Sequence, residues 1–148
     1  MSTVSRKIDA PPARVWEVLA DGWNYPLFVV GASRMRDVDR AWPEVGTKLH
    51  HSVGVWPALI DDATEVLEMQ PGARLKLRAK GWPLGEAHVE FRLTEKGKGT
   101  LLEIEEHPTA GPGAMVPPPV TAPGIAWRNN ETLRRIAFIA QNRTTHPH

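Results

Sequence analysis

The feature that most constrains the fold of this chain is an alternation of apolar and polar side chains over residues 86–106. In its first half the apolar positions are Ala87, Val89, Phe91 and Leu93. The polar positions between them are Glu86, His88, Glu90, Arg92 and Thr94. The run Lys96-Gly97-Lys98-Gly99 predicts a tight hairpin, after which residues 100–106 return with Leu102 and Ile104 on the apolar side. A sheet with one wetted face is typical of antiparallel pairing, because parallel strands are usually buried on both faces.

The segments before this hairpin also have strand character and are separated by turn residues. We predict strands over residues 3–8, 35–41, 47–55, 59–69 and 74–79. Pro43-Glu44-Val45-Gly46 and Pro71-Gly72 are turn sequences between them. Together with the hairpin, they predict a sheet of about six to seven strands.

Helical periodicity is confined to three places. Residues 13–20 form a short amphipathic helix with Pro12 at its first position, and residues 23–30 predict a second, shorter helical segment. Residues 124–142 predict a long helix with an apolar stripe of Ala126, Leu133, Ala137 and Ala140. The Pro- and Gly-rich residues 108–123 before it predict a long loop of the kind that often forms a lid.

This order of elements predicts a single α+β domain over residues 1–148. An antiparallel sheet with one apolar face needs a cover, and the C-terminal helix is the only predicted element long enough to provide it. A curved sheet wrapped around one helix leaves space between the two, which predicts a pocket for a small hydrophobic molecule. Six Trp residues among 148 residues fit either a bulky core or the lining of such a pocket.

Composition excludes several classes of function. The 18 basic and 17 acidic residues give a net charge of +1, which argues against a nucleic-acid partner or an anionic membrane surface. The chain has no Cys, so disulfides, thiolate nucleophiles and Cys-based metal sites are excluded. No pair of His residues has the helical spacing of a metal site, and we expect neither a metal nor a cofactor. The N-terminus has no apolar signal sequence and no segment is long enough to span a membrane, so we expect a cytoplasmic protein, as a monomer or homodimer.

Several of these segments resemble the START-like superfamily, also called SRPBCC or Bet v 1-like. The segment Ile8-Asp9-Ala10-Pro11-Pro12-Ala13-Arg14-Val15-Trp16 resembles its opening strand, Ala-Pro turn and first helix. Pro43-Glu44-Val45-Gly46-Thr47, Gly97-Lys98-Gly99-Thr100 and residues 128–140 are similar to later parts of the same pattern. Within the superfamily, the chain looks most like the bacterial polyketide cyclase/dehydrase and lipid-transport grouping. The resemblance implies a helix-grip fold and a cavity for lipids, polyketides or other apolar molecules.

Two residues are candidates for acid–base chemistry in the predicted pocket. His51 shares strand parity with Leu49 and Val53, which predicts that it points inward, where it could orient a ligand or transfer a proton. Asp61 shares strand parity with Leu59, Ala63 and Leu67, which predicts that it points inward. A buried carboxylate needs a partner or a raised pKa. A structural alternative stays open for both: His51 as a hydrogen-bonded core residue and Asp61 as a solvated residue.

Other residues are candidates for contacts with a ligand. They are Tyr25, the only phenol; Trp56, Trp82 and Trp127, beside turns or on the last helix; Phe91 and Glu106, on the inner face of the predicted hairpin; and Asn130, on the inner stripe of the last helix. Packing of the Trp residues, solvent exposure of Glu106 and a bond from Asn130 to the sheet are the corresponding structural alternatives.

Three functions remain open from the sequence. The first is a binding or carrier protein for a small hydrophobic ligand, and the second is a polyketide cyclase or dehydratase that uses the same pocket. The third is a protein-interaction module, against which the polar outer positions of residues 86–92 argue.

Overall fold

The structure, a computed structural model, describes residues 2–25, 32–53, 60–81, 85–110 and 118–142. Its elements in chain order are β1 (Ser2–Ile8), α1 (Pro12–Ala20), a 3₁₀ helix (Gly22–Asn24), β2 (Ala32–Val38), β3 (Lys48–Val53), β4 (Ile60–Gln70), β5 (Arg74–Gly81), β6 (Gly85–Lys96), β7 (Gly99–Ala110) and α2 (Pro118–Asn142). The predicted α+β helix-grip fold is confirmed, with seven strands, two short helices after β1 and a long C-terminal helix.

The seven strands form one antiparallel sheet with the order β1-β7-β6-β5-β4-β3-β2. The two strands nearest the N-terminus therefore lie at opposite edges. The chain crosses between these edges through α1 and the 3₁₀ helix, and then returns strand by strand. Gly97, with φ +61°, allows the predicted two-residue turn between β6 and β7, where Lys96 pairs with Gly99.

The core lies between one face of this sheet and the two α-helices. Strands β1 and β3–β7 contribute buried side chains to it, Val38 of β2 packs against it, and Leu133, Ile136, Ala137 and Ala140 of α2 cover it. The apolar residues in the described part of the sheet that are at most 1% exposed are Ile8, Leu49, Val66, Leu75, Leu77, Leu102 and Ile104. The alternation of the 86–106 segment is confirmed, since Phe91, Leu93, Leu102 and Ile104 are all buried.

The outer face of the sheet carries ion pairs between neighbouring strands. Arg92 of β6 lies 3.1 Å from Glu90 and 3.0 Å from Glu105 of β7. Arg74 of β5 bonds Glu90 and lies 3.2 Å from Glu68 of β4. Across β4–β7 this face is therefore charged, which does not suit an apolar protein partner.

The predicted loop over residues 108–123 is shorter than expected at both ends. β7 continues to Ala110 because it stays paired with β6, where Ala87 pairs with Pro108 and Glu86 with Ala110 across a one-residue bulge in β7. α2 begins at Pro118, because proline is well tolerated in a first helical turn whose N–H groups have no intrahelical partner. Residues 111–117 of the expected lid lie outside the described residues.

Within the described ranges, no helix is both long and apolar enough to cross a bilayer.

Candidate functional site

Most polar side chains buried in the core have a structural partner. Thr100 Oγ1 donates to the carbonyl oxygen of Ala10 at 2.8 Å, and Asn24 Nδ2 donates to that of Val18 at 3.4 Å. Five other polar residues interact with one another in the interior, and we call them the interior polar cluster. They are Tyr25, Thr64, Glu106, Arg128 and Asn129. It brings together the segment after the 3₁₀ helix, β4, β7 and α2.

Glu106 is the anionic member of the interior polar cluster. It follows Leu102 and Ile104 on the inner face of β7 and is only 7% exposed. Its Oε1 accepts a hydrogen bond of 3.0 Å from Asn129 Nδ2, and its Oε2 bonds Arg128 Nη2. A buried carboxylate is tolerated only with such partners, because its desolvation is costly.

Tyr25 is the neutral member of the cluster and is 9% exposed. Burial raises the pKa of its phenol to about 12, and the negative charge of Glu106 contributes to the increase. A hydrogen bond with Thr64 and the positive charge of Arg128 act in the opposite direction. Tyr25 is therefore protonated throughout the physiological pH range.

The main chemical role available to this cluster is to orient a bound molecule. Both oxygens of Glu106 already accept hydrogen bonds, and the charge of Arg128 offsets the carboxylate charge. The guanidinium of Arg128 has five N–H donors in all, and its side chain is 30% exposed. A neutral phenol beside a neutralised ion pair is suited to fixing a polar group of an otherwise apolar molecule.

The prediction of an inward Glu106 is confirmed, whereas two residues of α2 were placed wrongly. Asn130 is exposed and its neighbour Asn129 is buried, because the buried stripe of α2 runs through positions 129, 133, 136 and 140. Trp127 is 67% exposed and so does not line the interior. Phe91 is buried in the core at 3% exposure.

The candidates on β3 and β4 are described through their backbone. His51 pairs with Asp62, and Asp61 pairs with Ser52. In the described part of β4, Thr64 and Val66 are buried and Ala63, which lies on the same side as Asp61 by alternation, is half-buried. The inward position of Asp61 itself stays a prediction. Leu67, another residue on which that prediction rested, lies at a bulge between Val66 and Glu68 that interrupts the alternation.

The remaining candidates fall outside what the structure describes. Trp56 and Trp82 lie outside the described residues, as do the side chains of His51 and Asp61. Sequence reasoning missed Thr64, Arg128 and Asn129. The spacing of Asn129 from Leu133 and Ile136 was a usable signal, whereas nothing local to Thr64 or Arg128 indicated their role.

A cleft lies on the outside of the fold, where α2 passes β1. This cleft has a volume of about 360 Å³. Its lining residues are Ser5, Arg6, Trp127, Asn130, Glu131, Leu133 and Arg134. It is separate from the interior polar cluster and shares none of its residues.

The family of this chain follows from a match over nearly its whole length. Residues 2–137 match the family described as polyketide cyclase / dehydrase and lipid transport. The chain belongs to this family. Family membership agrees with the START-like fold. No curated protein matches the chain.

Solved structures share the fold of this polyketide cyclase/dehydrase family member at low sequence identity. Protein MLL2253 from Mesorhizobium loti is 21% identical with a TM-score of 0.70, over 97% of this chain and 98% of that one. DynU16, a protein of the dynemicin biosynthetic locus, is 20% identical with a TM-score of 0.65, over 95% and 47%. The Bet v 1-like protein Ara h 8.0201 is 12% identical with a TM-score of 0.67, over 95% and 97%. At these identities the likeness shows the fold alone.

Proposed function

We propose that this protein binds a small hydrophobic molecule, such as a lipid or polyketide, between the inner face of the sheet and α2. The observation that carries the proposal is the interior polar cluster. An apolar interior that served only stability would not need a carboxylate, a guanidinium and a phenol, because replacing buried ion pairs by apolar residues is often neutral or stabilising. Retained polar groups in an apolar interior are typical of ligand sites.

The proposal assigns a role to each charged or phenolic member of the cluster. Glu106 positions Arg128, whose remaining N–H groups donate to an oxygen of the ligand. Tyr25 is protonated, so its neutral phenol can form a hydrogen bond with the same oxygen. The apolar body of the ligand contacts core residues such as Phe91. In this proposal the chain acts as a single ligand-binding domain in the cytoplasm and needs no cofactor.

The binding role is tested by thermal shift against fatty acids, sterols, isoprenoid quinones and aromatic polyketides. A ligand at 100 times its dissociation constant adds about 2.7 kcal/mol to the free energy of unfolding, which raises the melting temperature by several degrees. We expect one chemical class to produce such a shift. If no class stabilises the protein, the proposed ligand class is wrong.

A matched pair of variants separates the cluster from general effects of mutation. Arg128→Lys keeps a positive charge near Glu106 but removes the planar fork of donors, so we expect weaker ligand binding. Arg92→Lys makes the same change on the outer face of the sheet and should leave binding unchanged. Equal losses in both variants would contradict a role of Arg128 in recognition.

The second candidate function is a polyketide cyclase or dehydratase that uses the same pocket. It is favoured by a carboxylate and a phenol in one buried cluster, and DynU16 comes from a biosynthetic locus. Any compound that stabilises the protein should be incubated with it and examined for cyclised or dehydrated products. Turnover that Tyr25→Phe or Glu106→Gln abolishes, while binding persists, would favour the enzyme over the carrier.

A further inference from the structure

Two large aromatic side chains lie on the outer face of α2. Trp127 is 67% exposed and Phe138 is 68% exposed. They are eleven positions apart, which corresponds to three helical turns and about 20°, so they lie along one line of the helix about 16 Å apart. Single exposed apolar residues are ordinary, but two aromatic residues aligned on one helix face favour a contact surface.

Opposite charges lie between these two aromatic residues. Glu131 comes four positions after Trp127, and Arg134 comes four positions before Phe138. Glu131 Oε2 accepts a hydrogen bond of 3.0 Å from Arg134 Nε. The order along this face is therefore aromatic, acid, base, aromatic, with the same spacing when it is read from either end.

This spacing makes the outer face of α2 complementary to itself. When two α2 helices lie antiparallel around a two-fold axis between positions 132 and 133, Trp127 of each copy is level with Phe138 of the other. Glu131 is then level with the other copy's Arg134, so the two ion pairs lie side by side in opposite directions and attract each other. In a two-fold contact every interaction occurs twice, once on each side of the axis.

We propose that the outer face of α2 is a dimer contact, and that its partner is a second copy of this chain in antiparallel orientation. The cleft beside this face adds a recess for the contact. It is lined by Trp127, Leu133 and Arg134, among others, and has a volume of about 360 Å³. Phe138 of the second copy, level with Trp127, enters this cleft, since aromatic anchors in pockets contribute most of the energy of interfaces.

The size of the contact sets its strength. α2 has 25 residues and is therefore about 37 Å long. A contact confined to one helix face is smaller than the roughly 800 Å² per partner of a stable interface. The dimer is therefore weak and reversible, and the protein is monomeric when dilute.

Sedimentation velocity over a range of concentrations tests the dimer. We expect reversible dimerisation that Arg134→Glu weakens by at least about tenfold, because this change places four acids around the two-fold axis. Adding Glu131→Arg to Arg134→Glu restores opposite charges and should restore the dimer. Lys98→Glu makes the same charge reversal at the tip of the β6–β7 hairpin and should have no effect. A monomer at every concentration, or failure of the double variant to recover, would overturn the proposal.

Cysteine crosslinking tests the antiparallel orientation, because the native chain contains no Cys. Packed helices lie about 8–10 Å apart, so residues that face each other come within the 4.4–6.8 Å Cα distance of a disulfide. Mixing Trp127→Cys with Phe138→Cys should give a covalent heterodimer that retains one aromatic contact. Either variant alone should not crosslink, because the two identical cysteines of its dimer would lie about 16 Å apart along the helix axis. Crosslinking of either variant with itself, or none in the mixture, would refute this arrangement.

Discussion

Asn129 of α2 donates a hydrogen bond of 3.0 Å to Glu106 of β7 in the interior of the protein, across 23 positions of sequence. Arg128, the preceding residue of α2, bonds the other oxygen of the same carboxylate. Two consecutive helix residues thus hold one strand residue. This bond pair fixes how α2 lies on the sheet, in addition to the apolar contacts of Leu133 and Ile136, which are less directional.

Removing the Glu106 carboxylate should destabilise the fold strongly. In Glu106→Ala, the Asn129 amide and the Arg128 guanidinium lose their shared acceptor in a buried environment. We expect the free energy of unfolding to fall by about 3 kcal/mol, at the lower end of the range for removing one partner of a buried pair, because the Arg128 side chain is 30% exposed. Urea denaturation followed by circular dichroism measures the change.

The matched control for this change is the same substitution at Glu105, the residue before Glu106 in β7. Glu105 points to the outer face and pairs with Arg92 at 3.0 Å. Glu105→Ala should cost about 1 kcal/mol or less, because exposed ion pairs contribute little. A loss of the same size in both variants would contradict the buried position of Glu106.

The ionisation of Tyr25 can be observed directly, since it is the only Tyr in the chain. Its phenolate absorbance in the near ultraviolet should appear with a midpoint near pH 12, against the ordinary pKa of 10.0, because burial opposes the charged form. Replacing Glu106 by Gln should lower this midpoint, since the negative charge of Glu106 helps to raise it. A midpoint near 10 in the folded protein would show that the phenol is solvated.

The same pKa difference affects stability at alkaline pH. Because the folded protein binds the Tyr25 proton more tightly than the unfolded chain, stability is retained below pH 10 and decreases as the pH rises from 10 to about 12. Two pKa units correspond to about 2.7 kcal/mol at most. Urea denaturation should therefore show a smaller alkaline loss in Tyr25→Phe than in the native chain, and equal losses would be contrary to this account.

Elements that depend on local sequence were predicted correctly. The β6–β7 hairpin follows from strict alternation and from Gly97 in its turn, and both are properties of consecutive residues. The inward position of Glu106 followed from the same alternation. α1 was also predicted, since Pro12 and the spacing of Val15, Val18 and Leu19 act within one helix.

The interior polar cluster could not be predicted as a whole, because its members come from four separate parts of the chain. Tyr25 follows the 3₁₀ helix and Thr64 lies on β4, so the two meet only through the folding of the whole chain. A one-position error on α2 exchanged Asn129 for Asn130, because four Ala and Leu residues define a helix stripe only to within about one position. On β4, the bulge between Val66 and Glu68 means that the apolar Leu67 does not indicate which side chains before it face inward.

Two glycines should respond to alanine in opposite directions. A Cβ at Gly99 would lie 2.5 Å from the backbone oxygen of Ile8, and β1 and β7 would have to separate to relieve that contact. Gly124 lies in α2, and a Cβ there would have no neighbour within 4 Å apart from adjacent residues and the backbone of its own helix. We expect Gly99→Ala to destabilise the protein by about 1–3 kcal/mol and Gly124→Ala to stabilise it by up to about 1 kcal/mol.

Thermal denaturation of these two variants beside the native chain measures both effects in one experiment. A shared direction of change would mean that either the β1–β7 contact or the helical state of residue 124 is wrong. The comparison is direct because both variants gain the same single methyl group.

Asp39 should make stability depend on pH in the acid range. Its pKa lies below the ordinary 3.8, chiefly because His50 Nε2 bonds its Oδ1 at 2.9 Å, and because the backbone N–H of Lys48 donates to Oδ2 at 2.9 Å. The folded protein therefore favours the carboxylate, and its contribution is present above the unfolded pKa and is lost as the pH falls through the folded value. Asp39→Asn should thus be less stable than the native chain near neutral pH, with the difference shrinking below about pH 4. Repeating the comparison in a His50→Ala background removes the largest cause of the lowered Asp39 pKa, so the acid-dependent difference in stability should become smaller. An unchanged difference would exclude His50 as that cause.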